Sequence, residues 1–300
     1  MTAVRTVLGD VPPEELGVCD AHDHLFLRSP QLPGQELDDA AAAAEELTAF
    51  RELGGQAVVQ WTPRGMGRRR DELARLARST GVRLVAATGL HQAVHYEPAL
   101  LERVRGRLAE LFVEDLTTAP VRAGLIKVAG AFHTVDAHTR HIMTAAAEAH
   151  HATDAPIAVH LELGTAAVDV LDLLCEELAV PPSRVILGHL NRSPDTRVHR
   201  EVARRGAFLA FDGPSRAHHA TDWRLFDVLA ALAEAGHAGQ LLLGGDTTTA
   251  AARAATGGGP GMPYLLGTLR PRLTRELGEE FVTQVFTGNP ARAFAADWRG

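Results

Sequence analysis

The chain has 300 residues, 46% hydrophobic and 22% charged, with a formal net charge of −7. That balance suits a soluble globular protein with a large buried core, and the acidic excess argues against a surface built for nucleic acid or another polyanion. The cysteines Cys19 and Cys175 are too few for a disulfide framework and lack zinc-motif spacing.

No signal-like apolar run opens the chain, and no apolar stretch reaches the ~18 residues expected of a membrane span. The expected setting is therefore the cytoplasm, the expected partner a small-molecule substrate, with no membrane and no nucleic acid. A homodimer is left open. The basic run Arg68-Arg69-Arg70 is followed at once by Asp71 and Glu72 and reads as a solvated helix start.

Short apolar runs recur along the chain, each ending near a polar residue or a glycine. In order they are Val18 to His22, Ala57 to Trp61, Leu84 to Thr88 and Leu125 to Val128. Ile157 to His160, Val185 to His189, Phe208 to Asp212 and Leu241 to Asp246 follow. Continuous apolar runs suit parallel strands buried on both faces. Helical patterns fill the gaps: Glu36 to Leu53 stopping at Gly54-Gly55, Asp71 to Thr80 stopping at Gly81, Pro98 to Phe112, and Asp136 to His151. Thr165 to Leu178, Thr196 to Arg205 and Trp223 to Ala235 complete the set. The strand ends lie 23 to 38 residues apart, near the ~30 that a strand plus a crossover helix needs. Eight such units without a linker predict one α/β domain over residues 1–300, a single (β/α)8 TIM barrel. An open doubly wound sheet would need a glycine-rich loop after its first strand, and Cys19-Asp20-Ala21-His22 is not one.

In such a barrel the chemistry sits at the carboxyl ends of the strands. The first strand ends in His22-Asp23-His24, whose alternate histidines project to one face. His160, His189 and Asp246 end the fifth, sixth and eighth strands. Lys127 stands inside the apolar run Leu125-Ile126-Lys127-Val128, where an ammonium must lose its proton, pair with a carboxylate, or be modified. Each residue alone has a bland explanation as a hydrogen-bonded core histidine or an ion pair. A shared metal cluster explains all six.

The chain resembles the phosphotriesterase family of the amidohydrolase superfamily, on the lactonase-like and phosphotriesterase-homology branch. The resemblance rests on Pro12-Pro13-Glu14-Glu15-Leu16-Gly17 before His22-Asp23-His24, on Thr62-Pro63-Arg64-Gly65-Met66-Gly67-Arg68, and on Gly124-Leu125-Ile126-Lys127-Val128. Gly188-His189-Leu190, Phe211-Asp212-Gly213, Gly245-Asp246, the glycine-rich run from Gly257 to Gly261, and Asn289-Pro290-Ala291-Arg292 continue it.

The resemblance implies two divalent ions, with zinc the default and manganese, cobalt or iron as options. It gives His22, His24 and Asp246 to the more buried ion and His160 and His189 to the more exposed one. Lys127 would carry a carbamate formed with carbon dioxide and bridge both ions. Asp246 would move the proton of a metal-bridging hydroxide. The implied activity is hydrolysis of a lactone or carboxylic ester, including a phosphorylated sugar lactone, with an organophosphate triester as the alternative substrate.

Asn191-Arg192 and Gly213-Pro214 replace the acidic pair and the histidine of the phosphotriesterase proton relay, which weakens the triester reading. Gly213 also stands where related acyl-homoserine lactonases carry an arginine. Arg216, Arg192, Arg253 and Tyr96 are the candidate substrate-binding residues, the arginines because guanidinium pairs with carboxylate or phosphate in a bidentate way. Trp61, His91, His95, His133, His218 and His219 also follow strand ends and are candidates for the pocket lining. Two rival readings are a metal-binding barrel without turnover and a Schiff-base lysine enzyme acting through Lys127.

Overall fold

The computed structural model describes residues 2–212 and 220–299. Each of the eight apolar runs forms a strand, here β3 (Cys19–Asp23), β4 (Ala57–Gln60), β5 (Arg83–Gly89), β6 (Leu125–Ala129), β7 (Ile157–His160), β8 (Val185–Gly188), β9 (Phe208–Asp212) and β10 (Leu241–Gly244). They lie side by side in chain order, and every recorded pairing between neighbours is parallel. The two outer strands meet where the Asp246 N–H donates to the His22 carbonyl at 2.9 Å and the Gly245 N–H to Asp20 Oδ1 at 3.2 Å. Gly244 allows this approach, because a Cβ there would stand 2.5 Å from the His22 backbone nitrogen. The result is a nearly closed (β/α)8 barrel.

Alternation along the strands builds two apolar layers. Val59, Val85, Leu125, Ala158, Ile186 and Leu242 fill the barrel interior. Their neighbours Val58, Leu84, Ile126, Ile157, Leu187 and Leu243 face outward onto the helices. Because both faces are covered, the strands need apolar side chains throughout, as the runs showed.

The helices depart from the sequence reading at their ends and at one break. Ala40–Glu52, Arg70–Thr80, Ala137–Thr153, Thr196–Arg204 and Leu225–Glu234 form as single helices. The segment read as continuous from Pro98 divides into Pro98–Val104 and Leu108–Thr117 around a tight turn containing Gly106. The segment read from Thr165 starts at Ala167 and continues in wide turns over Asp172–Glu177. Arg68 and Arg70 are not merely solvated: with Arg64 they converge on the buried Asp115, at 2.8 and 2.9 Å for the first two.

One sheet was not anticipated. The strands β1 (Ala3–Thr6), β2 (Gly9–Val11) and β11 (Ala295–Ala296) form an antiparallel patch that pairs Ala3 with Ala296. Val4, Leu16 and Phe294 pack with the interior layer there, closing the end of the barrel opposite the site. Among the described residues, no helix is long and apolar enough to cross a membrane.

Candidate metal centre

The six candidate residues line one cavity of about 380 Å³ at the carboxyl ends of the strands. His22, His24, Lys127, His189 and Asp246 are buried, and His160 is nearly so. Donor atoms of His22, His189 and Asp246 all lie within 4.8 Å of one another. His22 Nε2 and His24 Nε2 each stand 3.5 Å from Asp246 Oδ1. The His160 and His189 rings are 4.4 Å apart.

Each imidazole has one nitrogen engaged by a neighbouring side chain, which fixes the ring. His22 Nδ1 meets Asp212 Oδ1 at 2.9 Å, and Trp61 stacks on the His22 ring at 3.8 Å. His189 Nδ1 is bonded to the other Asp212 oxygen. Thr62 donates its hydroxyl to the Phe26 carbonyl at 2.6 Å, so it accepts from His24 Nδ1 at 2.7 Å. His160 Nε2 meets Glu162 Oε2 at 3.0 Å.

Burial keeps three of these rings neutral. It lowers His24 and His189 to about 4 and His160 well below the ordinary histidine value. Neutral imidazoles keep the lone pair that a cation needs. Burial likewise brings Lys127 down to about 7 despite the attraction of Asp246, so near neutrality a large share of it is free amine. Asp212 is held below the ordinary carboxyl range: burial would raise it, and His189 and His22 outweigh that. Neutral nitrogen donors, a nucleophilic amine and a carboxylate make a donor set that fits divalent metal ions.

The backbone bends to present the set. His189 and Asp246 have φ of 65° and 52°, a left-handed conformation that non-glycine residues rarely adopt. Gly89 carries φ of 106° beside Lys127, and a Cβ there would fall 1.9 Å from the Lys127 carbonyl oxygen.

The candidate substrate-binding residues separate. Arg192 lines the cavity, bonds to Asp246 and stands 3.6 Å from Asp212. Arg253 is buried away from it, spent on the carbonyls of Leu25 and Asp39. Tyr96 is also outside the lining; its hydroxyl accepts from the His91 N–H at 2.7 Å. Arg216, His218 and His219 lie outside the described residues. His91 and His95 belong to the lining, and His133 does not. Asp212, Thr62 and Glu162 went unassigned in the sequence, although Asp212 ends a strand and Glu162 follows His160 by two residues.

A histidine-rich donor set at the carboxyl face of a parallel barrel defines the class of metal-dependent hydrolases. The family is specific: residues 2–294 match the phosphotriesterase family, and the chain belongs to it. A phospho-furanose lactonase from Mycoplasmopsis synoviae is 27% identical, over 98% of this chain and 92% of its own. A lactonase structure from Listeria monocytogenes superposes with a TM-score of 0.90 at 28% identity, covering 97% of this chain and 98% of that one. The phosphotriesterase homology protein of Escherichia coli, solved with phosphate in its active site, gives 0.87 at 26% identity, covering 93% and 99%.

Proposed function

We propose that this chain is a binuclear metal-dependent hydrolase that opens a lactone or a related carboxylic ester, with a phosphorylated sugar lactone as the favoured substrate. The observation that carries the reading is the convergence of four imidazoles, Asp246 and a burial-neutralised Lys127 on one cavity. His22, His24 and Asp246 would hold one ion and His160 and His189 the other. Lys127, as free amine, would take up carbon dioxide to give a carbamate serving both. Bound divalent cations, zinc by default, supply the Lewis acidity that acidifies water and polarises the ester carbonyl.

The chain's own groups supply the rest. Asp246 accepts the proton released by water and returns it to the departing alkoxide. Arg192 holds the Asp246 carboxylate, and with Arg216 it offers positive charge to an anionic substituent. The lactone preference rests on the names of the relatives and on the missing acidic relay: Asn191 Oδ1 accepts from the Asp212 N–H at 3.1 Å, and Arg192 stands where a relay carboxylate would. Triester hydrolysis is the second reading, favoured by a wall of Leu27, Leu32, Met66, Val94 and Leu163 that suits uncharged ester arms.

The test loads the protein with zinc, manganese or cobalt and assays lactones, phosphorylated lactones, aryl esters and phosphotriesters. About two ions per chain and a lactone preference are expected, and Lys127→Ala should lose both metal and activity. One ion per chain with full activity would overturn the binuclear reading.

A further inference from the structure

His91 follows β5 in a turn and lines the cavity, yet it has no part in the proposed hydrolysis. Three hydrogen bonds hold it. Its N–H donates to the Tyr96 hydroxyl at 2.7 Å, and its carbonyl meets His138 Nε2 at 2.8 Å. Its Nδ1 lies 2.7 Å from the Gln92 N–H. A backbone amide can only donate, so Nδ1 presents its lone pair and the ring's proton resides on Nε2. The tautomer is therefore set by the chain itself rather than by solvent.

The ring borders the site. His91 lies 4.6 Å, centroid to centroid, from His160, within a lining that also contains Lys127. No hydrogen-bond partner is recorded for Nε2 among the described residues, while the other polar atoms of His91 are all engaged. Tyr96 thereby acquires a role different from substrate contact: it anchors the backbone of a residue that does face the cavity.

We propose that His91 is a substrate-positioning residue, donating its Nε2–H to an oxygen of the bound ester on the His160 side of the cavity. The assignment rests on the hydrolase reading of the site, so its test includes measurements that need no turnover. Zinc-loaded His91→Phe and His91→Gln are compared with the unaltered protein. Both variants should keep the metal content, and His91→Phe should lose about 10- to 100-fold in kcat/KM toward lactones, the range for removing one well-placed donor. His91→Gln, whose amide also donates, should regain part of that loss.

Inorganic phosphate serves as a binding probe of the metal-loaded site, and His91→Phe should bind it about 10-fold more weakly. Nitrogen-15 spectra of histidine-labelled protein should place the His91 proton on Nε2, a readout available even if His91→Phe does not fold. If the unaltered protein hydrolyses no ester while phosphate binding still weakens in His91→Phe, the hydrolase reading fails and the donor role stands. Unchanged kcat/KM and phosphate affinity in His91→Phe would overturn the proposal. So would a proton on Nδ1, or loss of metal in His91→Gln.

Discussion

Asp212 touches two candidate ligands at once, His22 through one oxygen and His189 through the other. Removing its charge should loosen both rings while leaving the ligands in place. Asp212→Asn is expected to weaken metal affinity by about 10- to 100-fold, measured by competition with a chromophoric chelator. An unchanged affinity would show that the rings are oriented by packing, with Trp61 the main support of His22. Gly89 makes a sharper case, because an added Cβ would fall 1.9 Å from the Lys127 carbonyl oxygen on a backbone already at φ of 106°. Gly89→Ala should destabilise the fold by about 3 kcal/mol or more. Denaturant unfolding checks this, and an unshifted midpoint would mean that β6 can move aside. At this scale the sequence exposed the candidate ligands because charged and imidazole side chains interrupt apolar strands. It could not separate Arg192 from Arg253, since both are arginines after a strand end and only packing sends one into the cavity and the other onto the carbonyl of Leu25.

Strands and helices were legible to different depths. The barrel strands could be read because burial on both faces demands unbroken apolar runs. Helix starts could be read where a side chain caps the first turn, as Asp136 does by accepting from the Thr139 N–H at 2.7 Å. Asp136→Ala should cost about 1 kcal/mol in thermal or chemical unfolding with activity retained; a neutral result would show the helix held by its buried face alone. Breaks such as Arg105–Arg107 escaped detection because a lone glycine is compatible with either a helix or a turn. The β1–β11 pairing escaped for another reason. A strand of two residues has no period, and its partner lies nearly a chain length away.

Several buried histidines are held neutral, and at the scale of the whole molecule this shapes its response to acid. Burial holds His24, His95 and His189 at about 4, against 6.5 for an exposed ring. Between those values the unfolded chain takes up protons that the folded chain refuses. Stability of the metal-free protein should therefore be full above about pH 6.5 and fall steadily toward pH 4. Urea midpoints across that range test it, and a flat profile would mean that the rings ionise in the folded state. Sequence alone determined the barrel, its strand order and the six residues at the strand ends, because burial pattern and local chemistry are written residue by residue. Tertiary structure decided which nitrogen of each ring is hydrogen-bonded, that Asp212 serves two histidines, and that Tyr96 and Gln92 fix His91. Those are relations between groups brought together from separate segments, and hydrogen-bond geometry exists only once the chain has closed around them.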